Sequence, residues 1–191
     1  MKLWKSHAPL AIVALTGGSL SLSLLAAQFS VTPAAYNPAN ASVAISATWL
    51  RSANALSGRP LTLAISRMVS FPPGASATAV VTPVDGLKLT HLGFDHEVGT
   101  YCTPGSPRWD VETTDGSSYA FGCAAGIHDA HVPAIGWERI TFSCSDVQVL
   151  KGLAGSCPLG SAQTIRLLQV VQDEAGSTTL AGLNVNWTDA Q

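Results

Sequence analysis

Two short segments of the chain carry imidazole and carboxylate groups that could bind a metal ion together. The segment "HLGFDHE" contains Asp95 and His96, and the segment "GIHDAHVP" contains His128, Asp129 and His131. Imidazole nitrogens and carboxylate oxygens are ligands that zinc and copper take in proteins. If the fold brings the segments together, a metal-dependent enzyme is one interpretation; otherwise these are solvent-exposed loop histidines. The candidate metal ligands are Asp95, His96, His128 and His131.

Acidic residues on one predicted strand offer a second chemistry. A glycosidase needs two carboxylates facing one cleft, about 5 to 10 Å apart. Asp110 and Glu112 share a strand face and are about 7 Å apart by the rise of a strand, but any polar strand face offers that spacing. The sequence contains no G-x-S-x-G motif and no glycine-rich phosphate loop. We therefore expect a protein that is not an enzyme.

Aromatic residues suggest a binding function instead. Sugar-binding modules stack sugar rings on exposed aromatic side chains and use polar groups to bond hydroxyls, a mixture that is usual in small-molecule sites. The candidate ligand-binding residues are Tyr101, Arg108, His128, Asp129, His131 and Trp137. The sequence predicts a non-catalytic binding module for carbohydrate or cell-envelope glycan. The alternative is a structural or adhesive extracellular protein without a small ligand.

The composition limits the partners and the fold. Only 12% of the 191 residues are charged, 47% are hydrophobic, and the net charge is -2. No basic stripe is present that would attract nucleic acid or acidic lipid, so we expect no nucleic-acid partner. Long helices usually carry many charged residues on their wet faces, and such residues are scarce here. This composition favours an all-β fold of short strands.

The N-terminal segment resembles an export signal. Lys2 and Lys5 precede an apolar run from Ala8 to Ala27, the order typical of a signal peptide. We assign 1–27 to a signal peptide or an uncleaved anchor, 28–41 to a linker or entry segment, and 42–189 to a β-sandwich domain. The expected location is secreted or cell-surface. Membrane contact is expected only through the leader, if it stays uncleaved.

All four cysteines lie beyond this leader, at positions Cys102, Cys123, Cys144 and Cys157. An even number of cysteines in an exported chain favours disulfides. Three pairings are possible, and we favour Cys102–Cys123 and Cys144–Cys157 because each brackets one local unit. No C-x-x-C pair exists, which argues against a cysteine zinc site.

Short alternating runs separated by turns predict two antiparallel sheets packed as a sandwich. The runs cover residues 42–50, 60–66, 77–95, 138–150, 164–172 and 177–187. In 77–95 the pattern predicts strand, Asp-Gly turn, strand. Between Cys102 and Cys123, a three-residue hairpin loop places Trp109 opposite Phe121, whereas a two-residue loop would mix charged and aromatic residues on both faces. Because register is all-or-none, the three-residue loop is expected.

The motifs of residues 77–187 resemble a known type of domain. They run "LKLTHLGFD", "CTPGSPRWDVETTDGSSYAFGC", "GWERITFS", "IRLLQVVQDEAG" and "LNVNW". This order resembles secreted bacterial jelly-roll, galactose-binding-like β-sandwich domains found in carbohydrate-active systems. The resemblance implies a jelly-roll sandwich, and a calcium ion held in some members by an aspartate in a late strand. Here that strand reads Leu180-Ala181-Gly182-Leu183, without a carboxylate, so we expect no cofactor.

Overall fold

The computed structural model describes residues 29–37, 44–49, 61–65, 75–130 and 134–190. The predicted leader, 1–27, lies outside the described residues, as does His131. None of the helices in the described ranges is long and apolar enough to cross a membrane.

The described chain is built from short strands and two single-turn 3₁₀ helices. The strands are β1 (Ser30–Tyr36), β2 (Ile45–Trp49), β3 (Leu61–Ile65), β4 (Ser76–Thr82), β5 (Leu92–Glu97), β6 (Arg108–Thr113), β7 (Ser118–Gly122), β8 (Ile127–Asp129), β9 (Trp137–Thr141), β10 (Val147–Lys151), β11 (Ile165–Gln172), β12 (Gly176–Val185) and β13 (Thr188–Ala190). The 3₁₀ turns are Cys123–Ala125 and Cys144–Asp146.

Two antiparallel sheets form the sandwich. The six-stranded sheet has the order β1-β4-β11-β6-β7-β10, and the seven-stranded sheet has the order β2-β3-β12-β5-β9-β8, with β13 paired to β12. The pairs between these strands are antiparallel. The chain is thus an all-β, two-sheet sandwich of jelly-roll type, as the alternation predicted.

Side chains that alternate along each strand fill the space between the sheets. On β6, Trp109 and Val111 are buried while Arg108, Asp110 and Glu112 are only half-buried on the other side. A period of two places one set of side chains in the core and leaves the next on the outer face. The largest fully buried side chains include Trp109, Tyr119, Phe94, Phe121 and Ile140.

The β6–β7 hairpin has the predicted three-residue loop. Trp109 pairs with Phe121 and Val111 pairs with Tyr119. Gly116 has φ +84°, the left-handed conformation expected at this loop position. Both predicted disulfides, Cys102–Cys123 and Cys144–Cys157, are present. The first joins the 103–107 loop to the end of β7.

Two predicted boundaries differ from the structure. The segment assigned as a linker, 28–41, contains β1, which pairs with β4 over its whole length, so the sandwich starts before residue 42. The run 77–95 contains the predicted strand, turn and strand, but its second strand, β5, begins only at Leu92, and β4 and β5 lie in different sheets. The turn at Gly86 instead carries the chain from one sheet to the other, and residue 88 forms only an isolated bridge.

Candidate functional site

The outer face of the six-stranded sheet holds two adjoining cavities. One has a volume of about 240 Å³ and the other of about 260 Å³. Asp110 and Gln169 line both of them, so the two form a single groove across the sheet. The polar residues of this groove are Ser76, Thr78, Arg108, Asp110, Glu112, Ser118, Gln169 and Asp173. Leu150, Leu167 and Val171 contribute apolar surface.

Strand register explains why residues far apart in sequence meet in the groove. Gln169 on β11 pairs with Asp110 on β6, and Val171 pairs with both Arg108 and Thr78. Directly paired residues of neighbouring antiparallel strands have side chains on the same face and within contact distance. The pairing of β11 with β4 and with β6 therefore forms the groove, which runs across the strands.

Arg108 is the central charged group of the groove. Its Nε donates to Asp110 Oδ1 at 2.7 Å, and its Nη1 donates to Asp173 Oδ1 at 2.6 Å and to the Gly105 carbonyl at 2.9 Å. Burial lowers the pKa of Arg108, but the bonds to Asp173 and Asp110 outweigh it, so the net shift is upward. The guanidinium is thus a fixed cation that holds two carboxylates in place.

Asp110 has an electrostatic environment of its own. Burial raises the pKa of this carboxyl above its ordinary value, although the hydrogen bonds and the charge of Arg108 act in the opposite direction. The ionised carboxylate is only partly compensated by its protein partners. A ligand that donates a hydrogen bond, such as a hydroxyl group, therefore has a favourable acceptor at the centre of the groove.

Tyr101 lies outside the residues that line the groove. Its hydroxyl donates to Glu174 Oε2 at 2.7 Å, and Thr103 donates to the same oxygen at 2.8 Å. The bond to Glu174, together with burial, raises the pKa of the tyrosine hydroxyl. Its ring covers Gly176, where an added Cβ would lie 2.4 Å from a ring carbon. The hydroxyl is thus engaged within the protein.

The remaining candidate ligand-binding residues lie on the other sheet. His128 and Asp129 belong to β8, and Trp137 begins β9. These strands form one edge of the seven-stranded sheet, whereas Arg108 lies on the six-stranded sheet. The structure therefore places Arg108 in the groove and the other three at a separate edge.

The two histidine segments do meet, at Glu138, which is not among the predicted site residues. The Nδ1 atoms of His96 and His128 donate to the two carboxylate oxygens of Glu138, each at 2.9 Å. His128 Nε2 also donates to the carbonyl of Cys123 at 3.1 Å. Asp95, which has no exposed surface, accepts two hydrogen bonds from Arg139 at 2.7 and 3.0 Å. Asp95, His96 and His128 thus take part in hydrogen bonds within the protein, whereas His131 lies outside the described residues.

One further set of potential metal ligands lies beside this cluster. A ring nitrogen of His96 and the sulfurs of Cys102 and Cys123 lie within 4.8 Å of one another. The two sulfurs are joined in a disulfide, and metal ions bind the thiolate form of cysteine. The geometry therefore gives the histidines no thiolate partner.

Glu138 should make protein stability depend on acid. Burial raises its pKa, but the hydrogen bonds from His128 and His96 outweigh this and hold the pKa below its ordinary value of 4.5. Because folding lowers this pKa, the stabilisation is present above pH 4.5 and is lost as pH falls through the folded value. We expect Glu138→Gln to lower the free energy of unfolding at pH 7 by about 1–3 kcal/mol and to flatten its decline below pH 5.

Urea unfolding followed by circular dichroism from pH 3 to pH 7 measures both effects. Glu97→Gln is the matched control, since Glu97 pairs with Trp137 at the end of the same two strands. Equal pH profiles for Glu138→Gln and the wild type would contradict the role assigned to this cluster.

Comparison with known proteins adds information at the level of the fold. No protein-family profile matches the chain, and no curated protein matches it. One similar solved structure is the family 11 carbohydrate-binding module of the cellulosomal cellulase Lic26A-Cel5E of Clostridium thermocellum. Its TM-score is 0.51 at 9% identity, over 85% of this chain and 89% of that chain.

A second similar structure is a family 11 module from the same organism in complex with a β-1,3-1,4-mixed-linked tetrasaccharide. Its TM-score is 0.50 at 8% identity, over 85% of this chain and 91% of that chain. These identities are too low to establish shared binding residues. The comparisons show that this chain has the jelly-roll β-sandwich fold that is also found in carbohydrate-binding modules.

Proposed function

We propose that the protein is a non-catalytic carbohydrate-binding module that acts outside the cytoplasm and holds a glycan in the groove of the six-stranded sheet. The observation that carries the proposal is the continuity of this groove, in which Asp110 and Gln169 line both cavities. A glycan is an extended chain, and an extended, open groove suits it better than a closed pocket does. The similar solved structures, one of them bound to a tetrasaccharide, support this assignment.

The chemistry of the lining suits sugar hydroxyls, which both donate and accept hydrogen bonds. Asp110 and Asp173 are acceptors, and the amide of Gln169 offers an acceptor and two donors. Leu167 and Val171 provide apolar surface for the C–H groups of a sugar ring. This mixture of a few fixed polar groups and apolar wall is typical of small-molecule sites.

An exposed aromatic residue borders the groove. Tyr36 on β1 has 59% of its surface exposed and pairs directly with Ser76, which lines the groove. Paired residues have side chains on the same sheet face, so Tyr36 extends the groove toward the sheet edge. Its ring can stack against a sugar while the hydroxyl stays in water.

The charges of the lining favour a neutral glycan. Asp110 and Asp173 are both bound by Arg108, and Glu112 is bound by Arg166. Three carboxylates against two guanidinium groups leave a net charge of -1, which disfavours an acidic polysaccharide. Both members of the possible glycosidase pair, Asp110 and Glu112, are also engaged by arginine.

The two disulfides support a location outside the cytoplasm. Disulfides persist in oxidising compartments and are rare in the reducing cytoplasm. The apolar segment 1–27, interpreted as a signal peptide or an uncleaved anchor, is consistent with export. We therefore place the binding module in the extracellular space or at the cell surface.

Calorimetric titration with neutral oligosaccharides tests the proposal. The first probe is the β-1,3-1,4-mixed-linked tetrasaccharide, followed by tetrasaccharides of β-1,4-linked glucose, mannose and xylose. We expect one of these to bind, and Gln169→Ala and Tyr36→Ala each to weaken that binding about three- to tenfold. Ser177→Ala, on the exposed side of β12 in the other sheet, is the control and should bind as the wild type does. Unchanged binding in both groove variants would contradict the assignment.

A further inference from the structure

The turn between β12 and β13 presents a tryptophan in an unusual backbone conformation. Asn186 and Trp187 have φ angles of +50° and +66°, and the flanking residues Val185 and Thr188 are paired. This is a two-residue hairpin turn with both central residues left-handed, where asparagine followed by glycine is usual. A bulky residue with positive φ is an outlier, and such outliers concentrate at functional positions. Glycine would adopt this turn without strain, so the tryptophan at this position suggests a functional role for the indole side chain.

Asn186 fixes this turn to the segment that precedes β5. Its side-chain oxygen accepts hydrogen bonds from the backbone nitrogen of Thr90 at 2.6 Å, from the Thr90 hydroxyl at 3.1 Å and from the backbone nitrogen of His91 at 3.2 Å. Its amide nitrogen donates to the carbonyl of Lys88 at 2.7 Å. These bonds stabilise the strained conformation and hold Trp187 in one position.

The indole of Trp187 is supported on one face and open on the other. It stacks on the imidazole of His91 with ring centroids 3.6 Å apart and an angle of 15° between the planes. His91 is only 7% exposed, whereas Trp187 is 75% exposed. The covered imidazole is therefore the base of the stack, and the second face of the indole meets solvent.

The surroundings of Trp187 argue against a protein interface. Several polar residues bond to the turn or lie on the strands beside it: Lys88, Thr90, Asn184, Thr188 and Asp189. Stable protein interfaces have an apolar, well-packed centre of several residues. A single flat aromatic ring among hydrogen-bonding groups instead matches a sugar ring, which has an apolar C–H face and a rim of hydroxyls.

We propose that Trp187 is the platform of a second carbohydrate site, which stacks one pyranose ring of a neutral glycan against the open face of the indole. Asn184 and Asp189, joined by a 2.9 Å hydrogen bond between their side chains, lie on the paired strands that lead into and out of the turn. The side-chain oxygen of Asn184 is buried, so the carboxylate of Asp189 is the group of this pair that accepts a hydrogen bond from a hydroxyl at the ring's edge. The site belongs to the seven-stranded sheet, so it does not depend on the groove.

Fluorine NMR of the full chain labelled with 5-fluorotryptophan tests this site directly. The chain has five tryptophans, and the resonance of Trp187 is the one that disappears in Trp187→Phe. Titration with the same four neutral tetrasaccharides is performed in the Gln169→Ala background, so that groove binding is reduced. We expect the Trp187 resonance to shift with at least one sugar, and Trp187→Ala to weaken that affinity about tenfold or more.

Two variants separate stacking from a structural effect. Asn186→Gly keeps the left-handed backbone available but removes the bonds to Thr90, His91 and Lys88, so we expect weaker binding with the indole still present. Ser177→Ala changes an exposed residue of β12 in the same sheet and should leave the affinity unchanged. Equal affinity of Trp187→Ala and the Gln169→Ala parent, or no shift of the Trp187 resonance with any of the four sugars, would overturn the proposal.

A shift of the Trp187 resonance that follows protein concentration and not sugar concentration would also overturn it, in favour of self-association. The proposal that the groove binds a glycan is tested separately, because it fails if Gln169→Ala and Tyr36→Ala bind with unchanged affinity. Each site can therefore be rejected without rejecting the other.

Discussion

Replacement of Gly122 by alanine should lower the free energy of unfolding by about 3 kcal/mol, because the added methyl group has no space. A Cβ at this position would lie 1.7 Å from the carbonyl oxygen and 2.5 Å from the carbonyl carbon of Pro104. These are backbone atoms, held by the Cys102–Cys123 disulfide and by the bond from Thr103 to Ser106, so they cannot turn aside as a side chain can. Gly122 has φ -82° and ψ 146°, which any residue adopts, so the cost comes from contact alone.

Denaturation by urea, followed by circular dichroism, measures this change. Gly116→Ala is the matched control: its Cβ would meet nothing within 4 Å, and only the left-handed backbone is penalised. We expect that control to lose about 1 kcal/mol. If Gly122→Ala is as stable as the control, the 103–107 loop does not pack against the end of β7 in solution.

Replacement of Arg108 by methionine should weaken both glycan binding and folding. Without the guanidinium, Asp110 and Asp173 face each other with no cation between them, and both side chains are more than half buried. We expect the free energy of unfolding at pH 7 to fall by about 2 kcal/mol, less than for fully buried pairs because water partly screens these charges. Glycan affinity should fall about tenfold or more, because the acceptors lose their fixed geometry.

The pH dependence identifies the cause of this destabilisation. The pKa of Asp110 is already raised by burial, and loss of Arg108 raises it further. A raised folded pKa means that stability is fully present below the ordinary carboxyl value and is lost as pH rises through the folded value. The loss of free energy of unfolding in Arg108→Met should therefore be small at pH 3 and largest at pH 7.

A double variant separates the two effects of Arg108. The double variant Arg108→Met, Asp110→Asn removes one of the two negative charges that face each other. We expect it to regain part of the free energy of unfolding at pH 7 but not the glycan affinity. Recovery of affinity in the double variant would show that Arg108 acts only on folding. Unfolding in urea and calorimetric titration with the tetrasaccharides supply the two measurements.

The β6–β7 hairpin shows what the sequence predicts well. Its register follows from local residues, because a shift by one position would bring Asp110 and Glu112 into the core and Trp109 out of it. The disulfide from Cys102 to Cys123 follows from the same local unit. Both features depend on residues that are close in sequence, so alternation and turn chemistry were sufficient to predict them.

The sequence does not indicate which sheet each strand joins. The run 77–95 has the local pattern of a strand, a turn and a strand. Its residues do not indicate that β4 pairs with β1 and β11, or that β5 pairs with β9 and β12. Pairing with distant strands supplies the missing information, and it also recruits β1 from the segment interpreted as a linker. Local periodicity therefore predicts that a strand exists, but it does not predict which strands pair with it.

The candidate groove was predicted only in part for the same reason. Arg108 was selected from the sequence, but Gln169 and Asp173 meet it only because β11 lies between β4 and β6. Glu138 was also missed, although its position opposite His96 follows once β5 and β9 are paired. A signal for Glu138 existed in the alternation of "GWERITF", which places it on the face of Ile140.

The strand order has a consequence for how this protein can be made. In the seven-stranded sheet β12 lies between β3 and β5, and in the six-stranded sheet β11 lies between β4 and β6. Neither sheet can close before β11 and β12 have left the ribosome, when most of the chain has already been synthesised. Nascent β1 to β10 therefore have unpaired edges, and chaperones that bind exposed strands should act on them until the last strands insert. Folding then requires contacts between distant parts of the chain and should be slow for a domain of this size.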